Sequence, residues 1–377
     1  MPAPLRFPER RARPRKNREI YIDAFRGLVA LVMVQGHVCD TLVSAATKAH
    51  GLYQLQLIFH GTTAPGFLFA SGFVAGLPRA PLSAAASLRR ARRLLFILGV
   101  GYALHLPYFS IWKIALEASP AQKAALFACD ALHLIAMSQL VVMALQWIFG
   151  RRWIAAAGVA AVAVLAAAPG VWASGLSRGL PPVVGAYLDN ASVPSTFPLF
   201  PYAAFVMAGA VAGAGLGRQD LAVRRRRAVV WGGGLLAVGA ATSLALRGVV
   251  PFWGPSPGYA LLRMGGLLLL LRAVEDVSRR QWPGIRMLAL LGHETLLVYV
   301  FHLYLLWGGV LGAAPLGAWA GRLGFAQGLG VVVLMIPILL AAARAWHRAK
   351  MRFPHGATLT LVFLGTAFVY ELLTRPW

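Results

Sequence analysis

The chain has 377 residues, 59% of them hydrophobic and only 13% charged, with a mean hydropathy of +0.67. That is too apolar for a water-soluble domain, and the apolar residues fall in separate runs rather than one large core, so the chain belongs in a membrane. The formal net charge of +24 does not mark a nucleic-acid binder, because the arginines sit between apolar runs without a continuous basic face or interleaved stacking aromatics; membrane lipids are the expected partner and nucleic acid is excluded.

Lipid admits only helices or closed barrels, and unbroken runs near the ~20 residues needed to cross it fit helices. The expected fold is therefore all-α and polytopic, with about eleven transmembrane helices over 24–46, 57–77, 94–112, 124–149, 153–172, 198–217, 228–248, 258–274, 288–310, 325–346 and 355–374. Residues 1–22 form a basic segment before them, and 23–377 a single transmembrane domain. Basic clusters recur at every second connection: RRARPRK near the start, LRRARR at 88–93, RR at 151–152, RRRR at 224–227, SRR at 278–280 and RAWHRAKMR at 344–352. The excess of Lys and Arg places those connections, and the N-terminus, in the cytoplasm. Lys48, Lys113, Lys123, Arg178, Arg247, Arg322 and Arg375 fall on the opposite side, while Arg26, Arg263 and Arg272 fall inside or at the edge of spans.

The two cysteines, Cys39 and Cys129, lie in apolar runs without a paired spacing, so neither a disulfide framework nor a metal site is expected. The basic start followed by GLVALVMV has the outline of a leader, but the apolar stretch is short and runs straight into GHVCD, which argues against cleavage. The longest external connection, 173–197, is rich in proline and asparagine; it reads either as a cover for an external site or as a plain connector. The small-residue run AGAVAGAG at 208–215 permits close helix packing, within the chain or between two copies in a homodimer.

The first span, DAFRGLVALVMVQGHVCD at 23–40, carries an arginine, a histidine and two aspartates. At about 100° per residue, the eleven steps from Arg26 to His37 leave the two side chains only ~20° apart, and about 16 Å apart along the axis. Asp23, Arg26, Ala30, Met33, His37 and Asp40 thus form one stripe that should face the protein interior, with His37 about halfway across the hydrocarbon. Asp40, one turn beyond, is placed to hydrogen-bond one nitrogen of His37 and leave the other basic. A structural reading, with His37 bonding another helix and Arg26 anchoring the topology, stands beside the functional one.

The opening REIYIDAFRGLVALVMVQGH resembles the first span of the bacterial transmembrane acyltransferases, in which an arginine, ten residues and a histidine recur; Arg26 and His37 match that motif. Three further stretches, HGTTAPGFLFASGF at 60–73, STFPLFPYAAFVMAGAVAGAGLGR at 195–218 and LGHETLLVYVFHLYLLW at 291–307, are similar to the heparan-alpha-glucosaminide N-acetyltransferase catalytic-domain family within that group. The resemblance implies an enzyme of about eleven spans that takes an acyl group, as acetyl, from cytoplasmic acetyl-CoA and passes it to a sugar on the far side. It leaves His50 and His60 beside His37 as candidates for the key histidine.

Such a transfer needs a base for the acceptor hydroxyl or amine, donors for the oxyanion, and alignment of both substrates. His37 is the expected base, with Asp40, His60 and His302 as further catalytic candidates; His302 is also placed for acceptor binding. Arg26, Arg89, Arg90, Arg92 and Arg93 lie where cations could clamp the phosphates of acyl-CoA, although attraction to anionic lipid also accounts for the 89–93 cluster. Asp130 and His133, three residues apart in CDALHLI, could support the acceptor cavity or simply pack two helices. Glu294 falls near the inner end of its span. His105, His347 and His355 fall near span ends or in connections, where interfacial roles suffice. The expected partners are then acyl-CoA and a glycan or glycolipid acceptor. A transporter whose path is lined by Arg26 and His37, or a non-catalytic component of envelope assembly, are the rival readings.

Overall fold

A computed structural model describes residues 20–77, 83–217, 219–309 and 312–375; most of the basic N-terminal segment, residues 1–19, lies outside them. Among the described residues the structure is helical without named strands, in the order α1 (Ile20–Leu42), α2 (Ala45–Lys48), α3 (Gly51–His60), α4 (Thr63–Gly76), α5 (Ala84–Leu104), α6 (Ile111–Glu117), α7 (Pro120–Ala125), α8 (Ala131–Phe149) and α9 (Trp153–Ser174). Then follow α10 (Pro182–Gly185), α11 (Leu199–Leu216), α12 (Leu221–Ala245), α13 (Pro257–Arg279), α14 (Gly284–His293), α15 (Thr295–Trp307), α16 (Phe325–Arg352) and α17 (Pro354–Thr374).

Each segment expected to cross the membrane falls on a helix or helix pair. Among the described residues, seven helical stretches are long and apolar enough to cross, and α14 with α15 makes an eighth if the bent pair is one span. One of the seven runs 44 residues from Ala131 to Ser174, roughly twice what a bilayer core accepts at 1.5 Å per residue. It divides at Gly150, whose φ of 50° is open to glycine and whose neighbours Arg151 and Arg152 form a short 3-10 turn between α8 and α9. Segment 288–310 differs more from expectation. Glu294 leaves the helical region at φ −103°, ψ 28°, and the chain bends by 83° between α14 and α15.

Helices in lipid gain little from expelling water, so close van der Waals packing must hold them, and small residues permit it. α4 and α11 show this. A side chain at Gly72 or Gly76 would meet the carbonyl oxygens of Val206 or Ala210 at 1.8 and 1.9 Å, and one at Gly209 or Gly213 would meet those of Phe69 or Phe73 at 2.2 and 2.1 Å. The small-residue run at 208–215 is thus used inside the chain. α1 is held in the same way: a Cβ at Gly27 would lie 1.8 Å from the Leu288 oxygen of α14, and one at Gly292 would lie 1.7 Å from the Asp23 oxygen.

α1 is the central element. One apolar cluster joins its Phe25 and Val29 to α4, α8, α9, α11 and α13, and another joins its Ala30, Val34 and Val38 to α14, α15 and α16. Its last turn is tied to the segment before α16 by Leu323 N–H to the Leu42 oxygen (2.9 Å) and Ser44 N–H to the Leu323 oxygen (2.9 Å). The arginine-rich connections share one end of the bundle, called here the basic end. Part of that charge is spent within the fold: Arg224 pairs with Glu275 and Arg225 with Asp276, joining α12 to α13, and Arg272 pairs with Asp276 within α13.

The glycine seam yields a stability prediction. Gly72→Val should lower unfolding stability by about 1–3 kcal/mol or more, because the added atoms strike backbone that cannot swing aside; thermal unfolding of the purified protein in detergent measures it, and an unchanged midpoint would show that the seam is not tight.

Candidate active site

The stripe read from α1 faces inward: Ala30 and Met33 are 0% and 4% exposed, Asp23 is buried, and Arg26 and His37 are half-buried. Near the far end of the bundle, opposite the basic end, His37 Nδ1 lies 2.8 Å from His302 Nε2, and the two rings stack at 13°. His302 Nδ1 lies 2.8 Å from the Val298 carbonyl oxygen one turn back on α15. A carbonyl only accepts, so His302 Nδ1 carries the proton; in a neutral ring its Nε2 is then a lone pair, and His37 Nδ1 must be the donor. The chain of bonds leaves His37 Nε2 as a basic nitrogen with no hydrogen-bond partner among the described residues.

The expectation that Asp40 orients His37 is corrected here. Asp40 is exposed, accepts from Tyr53 Oη at 3.3 Å, and pairs with Lys48 at 3.5 Å. The turn into α2 and α3 brings these competing partners to the carboxylate, and His302, 265 residues away in sequence, takes the place beside His37.

His60 and Trp307 complete the ring around His37, with ring centres at 5.4 and 5.7 Å. The buried Nδ1 of His60 has no hydrogen-bond partner among the described residues. The approach requires Gly36, where a Cβ would sit 1.6 Å from that Nδ1. His50 is exposed at the start of α3 and stands outside this ring.

Asp130 and His133 do meet, at 2.8 Å, but Asp130 precedes α8 and caps it by accepting from Leu132 N–H at 2.9 Å. His105 Nε2 approaches the other carboxylate oxygen at 3.2 Å, so this histidine has more than an interfacial place. Burial pushes the Asp130 carboxyl up, but hydrogen bonds from His105 and His133 more than reverse this and hold it well below the usual carboxylate range. Tyr299 stands near Asp130, and its ring is 5.8 Å from that of His302. The carboxylate thereby lies beside the helix face that carries the histidine pair. Segment 173–197 folds over this side: Tyr187 Oη meets Tyr102 Oη at 3.0 Å, and the Tyr102 ring packs edge-on against His133 at 4.4 Å.

At the basic end, Arg26 Nη2 donates to Thr295 Oγ1 at 2.5 Å, and its Nη1 lies 3.8 Å from Asp23 Oδ1. It therefore stands at the bend between α14 and α15. Beside it Glu294 accepts from His347 Nδ1 at 2.9 Å and Lys350 Nζ at 2.5 Å. Arg90 turns inward from α5 to Gln139 and Gln146 of α8, and Gln139 continues the network to Ser71 at 3.1 Å. Arg89, Arg92 and Arg93 are exposed. Two histidine–carboxylate clusters, His105–Asp130–His133 and His293–Glu294–His347, hold their donor atoms within 4.8 Å of one another, a spacing a divalent ion can use. In the second the Lys350 ammonium already occupies the carboxylate.

Sequence reasoning missed Tyr299, although it stands three residues before His302 and so shares its face. No spacing signal could have joined His105 to His133, since a folded connection between α5 and α8 brings them together.

An acyltransferase-domain family model matches residues 19–344, which contain every side chain described above except His347 and Lys350. No curated protein matched the chain.

Since the folded pKa of Asp130 is depressed, its contribution to stability is full above the ordinary carboxylate pKa of ~3.9 and is lost as pH falls through the lowered value. Asp130→Asn should therefore lower the thermal midpoint at neutral pH, with the gap closing only in strong acid. Equal midpoints at pH 7 would show that the capping carboxylate contributes nothing.

Proposed function

The chain belongs to the acyltransferase 3 group of membrane proteins, and from that premise we propose that it moves an acetyl group from cytoplasmic acetyl-CoA to a hydroxyl or amine of a glycan or glycolipid beyond the cytoplasmic membrane. The single observation that carries the chemistry is the unpartnered His37 Nε2, kept in its basic form by hydrogen bonds through His302 to the Val298 carbonyl. In this reading the basic end and the N-terminus face the cytoplasm. The likeness of segments 60–73, 195–218 and 291–307 to the heparan-alpha-glucosaminide N-acetyltransferase family supports a sugar as acceptor.

The acyl donor brings phosphates, which suit the arginine-rich end, and a thioester on a long flexible arm. Arg26, braced by Thr295 and Asp23, stands about 16 Å along α1 from His37, a separation an extended pantetheine arm can bridge. The acceptor oxygen or nitrogen attacks the thioester carbonyl carbon while His37 Nε2 takes its proton. The tetrahedral intermediate collapses, the carbon–sulfur bond breaks, and the imidazolium returns the proton to the departing thiolate. His302 acts through His37 by fixing its tautomer and ring plane.

Purified protein in lipid vesicles should consume acetyl-CoA in the presence of acceptor glycans. His37→Ala should reduce turnover by about 10²–10⁴-fold without loss of folded protein, and His302→Phe should reduce it while leaving acetyl-CoA binding intact. Full activity in His37→Ala would move the base to His60; an intact wild-type protein that never turns over acetyl-CoA would overturn the proposal.

A further inference from the structure

Arg263 stands apart from the other arginines at membrane depth. Arg224 and Arg272 have carboxylate partners, Arg26 has Asp23 and Thr295, and Arg90 has two glutamines. Arg263, on α13, is 8% exposed. Among the described residues it has neither a hydrogen bond nor a carboxylate; Nη1 is buried without a partner, and its polar neighbour is the face of the Tyr259 ring, 4.1 Å from the guanidinium carbon.

A cation in such a place is costly unless something neutralises it. A cation–π contact offsets only part of that cost. Among the described residues the surroundings supply no carboxylate partner. A Cβ on Gly61 would come within 2.6 Å of Nη2, so the guanidinium lies against bare backbone at the break between α3 and α4. Gly61 directly follows His60, whose ring packs on His37. Tyr202 and His60 lie within electrostatic range of the guanidinium.

We propose that Arg263, with Gly61 and Tyr259 around it, forms an anion-binding pocket beside the histidine ring, which takes a carboxylate or phosphate on the molecule entering from the far end. A planar guanidinium can clamp either group with two parallel N–H donors, and one negative charge there supplies the counter-ion that the fold omits. That the anion belongs to the acyl acceptor rests on the function proposed above; the binding itself does not.

Thermal unfolding of the purified full chain tests this with D-glucuronate, D-glucose 1-phosphate and neutral D-glucose, at ionic strength matched with sodium chloride. At least one anionic sugar should raise the midpoint by about 2 °C or more over glucose. Response to glucuronate alone identifies a carboxylate site, and response to the phosphate alone a phosphate site. Arg263→Gln should abolish the difference, and Arg263→Lys, which keeps the charge and protects the fold, should weaken it. Gly61→Ala should weaken it too, by pressing a methyl group on the guanidinium. His37→Ala should keep the full response, which separates this site from the chemistry of transfer. No excess over glucose, or an undiminished response in both Arg263→Lys and Gly61→Ala, would overturn the proposal.

Discussion

A peptide carbonyl accepts hydrogen bonds and never donates them, and at Val298 this one-way rule sets the proton positions of two histidines in series. His302 is completely buried, so its bonds are not exchanged for water. The proton on its Nδ1 makes its Nε2 an acceptor, which in turn fixes the proton of His37 on Nδ1. The free nitrogen of His37 is therefore a product of the fold of α15 rather than of α1, the helix that carries the residue.

That dependence explains why the surrounding packing is so close. The histidine pair exists only if α15 runs alongside α1, and α15 is aimed by the 83° bend at Glu294 and by α14 seated against Gly27. Arg26 bonds Thr295, the first residue after the bend. The same junction thus holds the arginine of the motif at one end and orients the histidine's partner at the other. Glu294, clasped by His347 and Lys350 of α16, holds the bend from its other side.

Much of α1 was legible because a helix's rotation is fixed by its backbone: the stripe from Asp23 to His37 and its inward direction follow from 100° per residue. Asp40 lies on the same stripe and yet has other partners, since proximity along a helix face does not determine which group a side chain chooses once Lys48 and Tyr53 fold back on it. The bend at Glu294 was hidden because no proline marks it, the nearby Gly292 also serves the close packing against α1, and 288–310 reads as one apolar run. The His37–His302 pair could not be read from spacing, which is informative within an element and silent between elements 265 residues apart. Arg263 was visible as a charge inside a span; what sequence could not disclose is that the fold gives it no carboxylate.

The central claim, that His37 presents an unprotonated Nε2, is open to direct measurement by ¹⁵N solid-state NMR of the protein in lipid with ring-labelled histidine, the His37 signal being assigned by comparison with His37→Ala. The account predicts an amine-type Nδ1 and an imine-type Nε2 for His37 at neutral pH, with the pattern disturbed in His302→Phe. A proton found on Nε2 of His37 in the wild-type protein would contradict it.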